Sequence, residues 1–241
     1  EELGALRWAY ASGGAMREVP DWGRTGGLRP RHAVAGLAFA AVPPLMAPDR
    51  TVDPTGTSHF IVRDAAGNVV SMTTTVESIF GSGRMVDGFF LNNQMTDFSF
   101  APVDGEGRPA ANAVAPGKRP RSSMVPTILL TSDGRFAGAI GSAGGNAILA
   151  YVGKSLVAAV DWGLPMQQAI AAPNLVARGG RFNGEVTKFS PEMLAALRAK
   201  SIDLKPGQGE DSGIHGVLIR DGRVDGGYDP RREGRVLLLG R

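Results

Sequence analysis

One amphipathic stretch set between runs of strand-forming residues does most to limit how this chain can fold. From Asn146 to Asp161 the apolar residues Ile148, Leu149, Val152, Leu156, Val157 and Val160 recur at helical spacing, and the pattern stops at Gly163. Upstream, His59 to Val62 and Val69 to Thr75 are rich in β-branched residues and flank the turn Asp64-Ala65-Ala66-Gly67-Asn68, which predicts a β-hairpin. Thr127 to Thr131, the turn Ser132-Asp133-Gly134, and Phe136 to Ile140 predict a second one. Downstream, Pro165 to Ala171 begins another helix, and Ser190 followed by Pro191 is an N-cap and first-turn pair opening a helix to about Lys200. The tail returns to strands at Gly216 to Arg220 and Arg223 to Val224 around an Asp221-Gly222 turn, with a last run at Val236 to Leu239. Strands, then helices, then strands point to an α+β protein with layered sheets rather than alternating βαβ units.

The first 56 residues read differently. Glu1 to Ala11 is expected as a helical piece, followed by a Gly/Pro/Arg-rich stretch and a short apolar segment. Met46 to Gly56, with Pro48 and Pro54 and no apolar period, reads as an exposed, extended linker able to present a peptide bond to a site. The chain begins at Glu1, with no basic segment followed by an apolar run, so a piece of a longer precursor is expected. Glycine occupies 34 of 241 positions, about twice the ordinary share of roughly 7%, so many backbone positions need positive φ or close approach.

Composition removes several function classes. Lys and Arg total 26 against 23 Asp and Glu, and no run of five or six like charges appears, so no nucleic-acid partner is expected. The absence of cysteine excludes disulfides, thiolate metal sites and a cysteine nucleophile. His32, His59 and His215 are not at metal-ligand spacing, so no metal is expected. Gly117-Lys118-Arg119 lacks the upstream Gly and the Ser/Thr of a phosphate loop, so no nucleotide is expected, and with no metal either the reading implies no cofactor. Apolar stretches such as Ala33 to Met46 are interrupted and fall short of the roughly 20 residues a membrane-spanning helix needs.

Where the linker becomes a strand stands Gly56-Thr57-Ser58-His59-Phe60. A Thr hydroxyl is a poor nucleophile without a base, and its own α-amine can serve once the preceding bond is cut. That amine has a reference pKa of roughly 7.7 to 8.0, so it takes up a proton near neutral pH where a Lys amine cannot. Glycine before the cut removes bulk from the carbonyl to be attacked. Taken alone, Gly-Thr is equally an ordinary loop-to-strand junction. His59, two residues on along the same face, reads as a structural hydrogen-bonding histidine.

The surrounding blocks narrow the choice. They are Thr57-Ser58-His59, Asp64 to Asn68, Met72-Thr73-Thr74-Thr75-Val76-Glu77, Phe80-Gly81-Ser82-Gly83 and Leu91-Asn92-Asn93-Gln94-Met95-Thr96-Asp97-Phe98. Further on come Gly117 to Thr127 (GKRPRSSMVPT), Gly141-Ser142-Ala143-Gly144-Gly145, and Asp229-Pro230-Arg231. In order and spacing these blocks resemble the small catalytic subunit of the γ-glutamyltransferases. The resemblance implies a four-layer αββα sandwich of the N-terminal nucleophile hydrolase type, with residues 57–241 as the catalytic region and 1–56 as the tail of the large-subunit region and its linker. It implies self-cleavage between Gly56 and Thr57, with Thr57 as nucleophile and Thr75 assisting from the facing strand.

By the same resemblance Glu77, Gln94 and Asp97 hold the α-amino end of a glutamyl substrate, Ser122 and Ser123 its α-carboxylate, and Gly144 and Gly145 the oxyanion. A desolvated ammonium needs a carboxylate partner, which suits Asp97, and amides at a helix N-terminus suit an oxyanion. Read singly, Glu77 is also a solvated strand residue, Asn93 and Gln94 turn residues, Asp97 a cap, Ser122 and Ser123 a turn, and Gly144-Gly145 a tight strand-to-helix turn. The implied partners are glutathione or another γ-glutamyl donor, an amino acid, peptide or water acceptor, and the large subunit, which in the family carries the Arg for the α-carboxylate. The implied location is the periplasm or outside the cell. Ala143 stands where many members have Pro, and the stretch from Phe100 to Ala113, where some members carry a lid, is short and Gly/Pro-rich. Two other readings are an acylase of the same architecture acting on cephalosporin side chains and a non-catalytic homologue lacking its partner segment.

Overall fold

The computed structural model describes residues 7–12, 15–18, 56–178, 180–207 and 212–239. Its strands are β1 (Arg7–Ser12), β2 (Ala15–Glu18), β3 (Thr57–Arg63), β4 (Val69–Thr75), β5 (Met85–Val86), β6 (Phe89–Phe90), β7 (Thr127–Leu130), β8 (Phe136–Gly141), β9 (Leu175–Arg178), β10 (Arg181–Gly184), β11 (Leu204–Pro206), β12 (His215–Arg220) and β13 (Arg223–Tyr228). The α-helices are α1 (Ile148–Leu156), α2 (Met166–Ala171) and α3 (Pro191–Ala199).

Six strands form the main sheet in the order β13-β12-β8-β7-β1-β2, with every neighbouring pair antiparallel. Helix α1 buries Ile148, Tyr151, Val152, Ser155 and Leu156, which is one face at helical spacing. This face packs with Met166 and Ile170 of α2 against Leu129, Ile140 and Leu218 of the sheet, forming the core. After Leu156 the helix widens into a π turn, Val157–Asp161, and stops where Gly163 takes φ 70°. Helix α2 is capped from a distant strand, because the Met166 amide donates to the Asp225 carboxylate at 3.0 Å.

On the sheet's other face lies the β3–β4 hairpin, in contact with β8 and β12. Its turn is closed by Asp64, whose carboxylate accepts from the Asn68 amide at 2.8 Å and the Asn68 side chain at 2.7 Å. The register pairs Thr57 with Thr75 and His59 with Thr73. Thr57 and His59 point inward and are buried, whereas Phe60, Val62, Val70 and Met72 stay exposed. A helical layer, the main sheet and the hairpin are therefore three of the expected layers. Among the described residues no α-helix covers the hairpin's outer side.

Several expectations need correction. Arg7–Ser12 is a strand, not part of a helix from Glu1 to Ala11, because its backbone pairs in register with β7, Ala9 opposite Ile128. The first six residues of that segment, and the linker from Met46 up to residue 55, lie outside the described residues. The main sheet thus draws on residues from both sides of position 56. Val236 to Leu239 forms no strand; Val236 rests against Gly226 while Leu237, Leu238 and Leu239 are exposed. A third sheet, β11-β10-β9, joins the two central ones, and a short β5–β6 pair stands apart.

Candidate active site

At the first residue of β3, the Thr57 hydroxyl donates to Thr75 Oγ1 at 3.3 Å. The Thr75 hydroxyl in turn donates to the Gly56 carbonyl at 3.2 Å and accepts from the Glu77 amide at 2.8 Å. One hydroxyl on the facing strand therefore touches both the Thr57 hydroxyl and the Gly56 carbonyl. The hairpin register sets this geometry, since Thr57 and Thr75 are opposed partners. Gly56 is sterically required, because a Cβ there would overlap the Glu77 carbonyl oxygen. Glu77 itself sits at φ 75°, a conformation that strains a non-glycine residue and bends the chain away from β4.

Beyond that bend, Asn93 fastens the 3₁₀ turn Gln94–Asp97 to the end of the hairpin. Its side chain accepts from the Ser78 amide at 2.9 Å and donates to Ser78 Oγ at 2.9 Å and Thr96 Oγ1 at 3.0 Å. Asp97 is consequently buried beside Gln94, whose Nε2 donates to Asp97 Oδ2 and lies 3.4 Å from Glu77 Oε2. Two carboxylates thus converge around one amide group.

Opposite them run Ser122 and Ser123, and the floor is the turn into α1. Gly144 at φ 128° and Gly145 at φ 55° let the chain reverse from β8 into a 3₁₀ turn at Gly145–Ala147. A pocket open at its mouth is lined by Thr57, Thr75, Glu77, Gln94, Asp97, Ser122, Ser123 and Gly145. Gly144, the neighbour of Gly145, is buried and is not part of the lining. The remaining lining comes from Arg121, Met124, Asn146 and Ile148, to which sequence reasoning gave no role. Asn93 is a turn residue by type, and its spacing carries no signal of the contacts it makes.

The loop preceding the glycines is braced from the far end of the chain. Ser142 Oγ accepts from the Gly213 amide at 3.2 Å, and the Ala143 amide donates to the Gly213 carbonyl at 3.3 Å. The flanking residues of Gly213 are fixed by Asp229, whose Oδ2 accepts from Ser212 Oγ at 2.6 Å and the Ile214 amide at 3.2 Å. Asp229 Oδ1 pairs with Arg231 Nη1 at 3.0 Å. Arg231 also grips Glu185, with Nε donating to Oε1 at 2.8 Å. Burial disfavours the Glu185 carboxylate, but hydrogen bonds from Arg231, Lys188 and the Asn174 amide outweigh it and hold its pKa at about 2. Next in line, Arg232 Nη1 reaches the Thr57 carbonyl at 3.4 Å.

His59 fills the gap between hairpin and sheet. Its ring lies over Gly141, where any Cβ would overlap it, and its Nδ1 is 2.8 Å from Thr73 Oγ1. Burial, and then the nearby His215, lower its pKa to about 4, so the ring is neutral near pH 7. This is the structural histidine that the sequence suggested. Among the described residues no cluster of three His, Cys, Asp or Glu side chains could hold a metal, and no helix is long and apolar enough to cross a membrane.

Known proteins match the sequence of this chain. The chain is 39% identical over 184 residues to the glutathione hydrolase proenzyme of Escherichia coli, which covers 73% of this chain and 31% of that protein. It is 42% identical over 185 residues to the glutathione hydrolase proenzyme of Bacillus subtilis, covering 68% of this chain and 30% of the relative. The chain therefore spans under a third of these relatives' length. Among solved structures, the γ-glutamyltranspeptidase of Pseudomonas nitroreducens complexed with L-DON superposes with a TM-score of 0.65 at 30% identity, over 76% of this chain and 100% of that one. A cephalosporin acylase from Bacillus halodurans, at 24% identity and a TM-score of 0.64, shares the fold. The sequence profile of the family described as Gamma-glutamyltranspeptidase matches residues 37–239, nearly the whole chain, and the chain belongs to that family.

Proposed function

We propose that this chain is the catalytic part of a self-processing γ-glutamyltransferase and glutathione hydrolase in which Thr57 is the nucleophile. The observation that carries the reading is the meeting in one cavity of a paired threonine hydroxyl, two carboxylates, two serines and a glycine turn, drawn from positions 57 to 145. The names of the curated relatives, both glutathione hydrolase proenzymes, support glutathione as donor.

In the precursor, Thr57 Oγ attacks the Gly56 carbonyl carbon while Thr75 polarises the carbonyl oxygen. The peptide C–N bond breaks, the Thr57 nitrogen takes up the hydroxyl proton and leaves as an amine, and the Gly56 acyl group remains as an ester on Oγ. Water hydrolyses the ester, freeing the Gly56 carboxylate and the Thr57 hydroxyl. In the cut enzyme the new α-amine takes the hydroxyl proton as Oγ attacks the γ-amide carbon of the donor. The oxyanion forms against the Gly144-Gly145 turn, and the leaving amine departs with the proton. Water then releases glutamate, or an amino acid or peptide takes the acyl group.

For the donor, Glu77, Gln94 and Asp97 face the α-ammonium, and Ser122 and Ser123 the α-carboxylate. The rest of the precursor, the proposed large subunit, completes the site, with residues 1–56 as its tail and linker and 57–241 as the catalytic region.

Intact mass and denaturing gels of the full-length protein test the first half of this reading. The wild type is expected as two fragments divided at Gly56, and Thr57→Ala as one. A Thr57→Ala protein that still splits there contradicts it. Hydrolysis of a γ-glutamyl anilide well above a glutaryl anilide is expected for the second half, and the reverse preference would overturn it in favour of an acylase.

A further inference from the structure

The two ends of the proposed glutamyl site are carried by separate pieces of chain. Asp97 ends a 3₁₀ turn, Ser122 and Ser123 precede β7, and residues 98–121 form a long loop between them. A substrate bearing both an ammonium and a carboxylate at one carbon demands a fixed spacing between its anchors. Neither hairpin nor helix spans that gap directly.

Asn112 does. It is buried at 7% exposure, and its Nδ2 donates to the Asp97 carbonyl at 2.6 Å. Its Oδ1 accepts from the Arg121 amide at 3.1 Å, immediately before Ser122. Its own carbonyl accepts from the Ser99 amide at 3.0 Å. The peptide units around it are pinned in turn by Lys118, whose Nζ donates to the carbonyls of Ala111 and Ala113, the latter at 2.9 Å. One amide side chain therefore links, by a donor on one side and an acceptor on the other, the backbone of the acidic anchor to the backbone leading into the serine pair. A planar amide held at both ends is a rigid spacer.

We propose that Asn112 is a positioning residue that sets the distance between the ammonium-binding and carboxylate-binding ends of the cavity, and so selects donors carrying both groups. This rests on the glutamyl reading given above. Asn112 lies outside the cavity lining and its side chain is engaged by the backbones of Asp97 and Arg121, so it acts on donor choice and not on self-cleavage.

The test uses three p-nitroanilides and the full-length protein: γ-glutamyl, glutaryl (no ammonium) and 4-aminobutanoyl (no carboxylate). Asn112→Ala and the near-isosteric Asn112→Asp are compared with wild type. The Asp variant keeps the acceptor for the Arg121 amide and replaces the donor to the Asp97 carbonyl by a repelling oxygen. Both variants are expected to self-cleave at the wild-type rate and to lose about tenfold or more in kcat/KM on the γ-glutamyl donor, mainly through KM, the scale of a misplaced binding group. Preference for the γ-glutamyl donor over both truncated donors should shrink together. Asp97→Asn, by contrast, should shrink only the preference over the glutaryl donor.

Equal losses on all three donors, wild-type preferences in both variants, or failure of both variants to fold overturns the proposal. A wild-type enzyme that shows no preference for the γ-glutamyl donor defeats the glutamyl reading instead, which separates the two failures.

Discussion

The hydroxyl of Thr75 donates to the carbonyl of Gly56 across the hairpin at 3.2 Å. It is the only described side chain hydrogen-bonded to both that carbonyl and the Thr57 hydroxyl. Thr75→Ala should slow self-cleavage by roughly 100-fold, the low end of what a positioned proton donor contributes. Thr75→Ser should retain most of the rate. Fragment appearance over time on denaturing gels measures both.

Gly56→Ala tests the steric side of the same geometry. The new methyl overlaps the Glu77 carbonyl, so either the scissile carbonyl or the strained Glu77 turn has to move. A displacement on the order of 1 Å costs about 100-fold in an oriented reaction. The expected result is a folded, largely uncut protein, visible as a single band with a near-normal melting temperature.

Asp229 is buried at 1% exposure and is paired with Arg231 while holding Ser212 and Ile214. Asp229→Ala leaves those partners without their shared acceptor, a loss on the order of 3 to 5 kcal/mol for a broken buried ion pair. Because Gly213 lies between Ser212 and Ile214 and braces the Ser142-Ala143 loop, cleavage should slow as stability falls. Denaturant melts and cleavage rates should move together in this variant and separately in Thr75→Ala.

The pH dependence of stability should carry a signature of His59. Its folded pKa of about 4 lies below the ordinary 6.5, so between these values the unfolded chain binds more protons than the folded one. Stability is full above about pH 6.5 and falls as pH drops toward 4, by on the order of 3 kcal/mol over the whole window. His215, also lowered by burial, contributes in the same direction. Glu185, held at about 2 against a usual 4.5, adds a second loss only below about pH 4.5. Urea melts from pH 7 to pH 4 should show this slope in the wild type and a shallower one in His59→Asn.

Local signals made much of the fold legible. The Asp64–Asn68 turn, the apolar face of α1 and the Ser190-Pro191 start of α3, where Ser190 Oγ accepts from the Met193 amide at 3.1 Å, each act within a few residues. The misread segment at Arg7–Ser12 owes its form to pairing with β7, some 120 residues away, which no local pattern records. Strands β9 to β11 are short and carry Arg, Asn, Lys and Pro, so they lack an apolar alternation to read. In the site, chemistry-bearing residues stood out by type and order. The bridging contacts of Asn93 and Asn112 did not, because an Asn in a loop reads as a turn residue until its partners are known.

The contact between Arg232 and the carbonyl of Thr57 joins residues 175 positions apart. A ribosome adding 5 to 20 residues per second needs roughly 10 to 35 s to travel from the first to the second. Throughout that interval the emerging protein holds its threonine but not all the braces that residues 212–232 supply around it. On the proposed self-cleavage, a cut that needs these braces waits until residue 232 has been made, so a translation product ended before that point should stay in one piece.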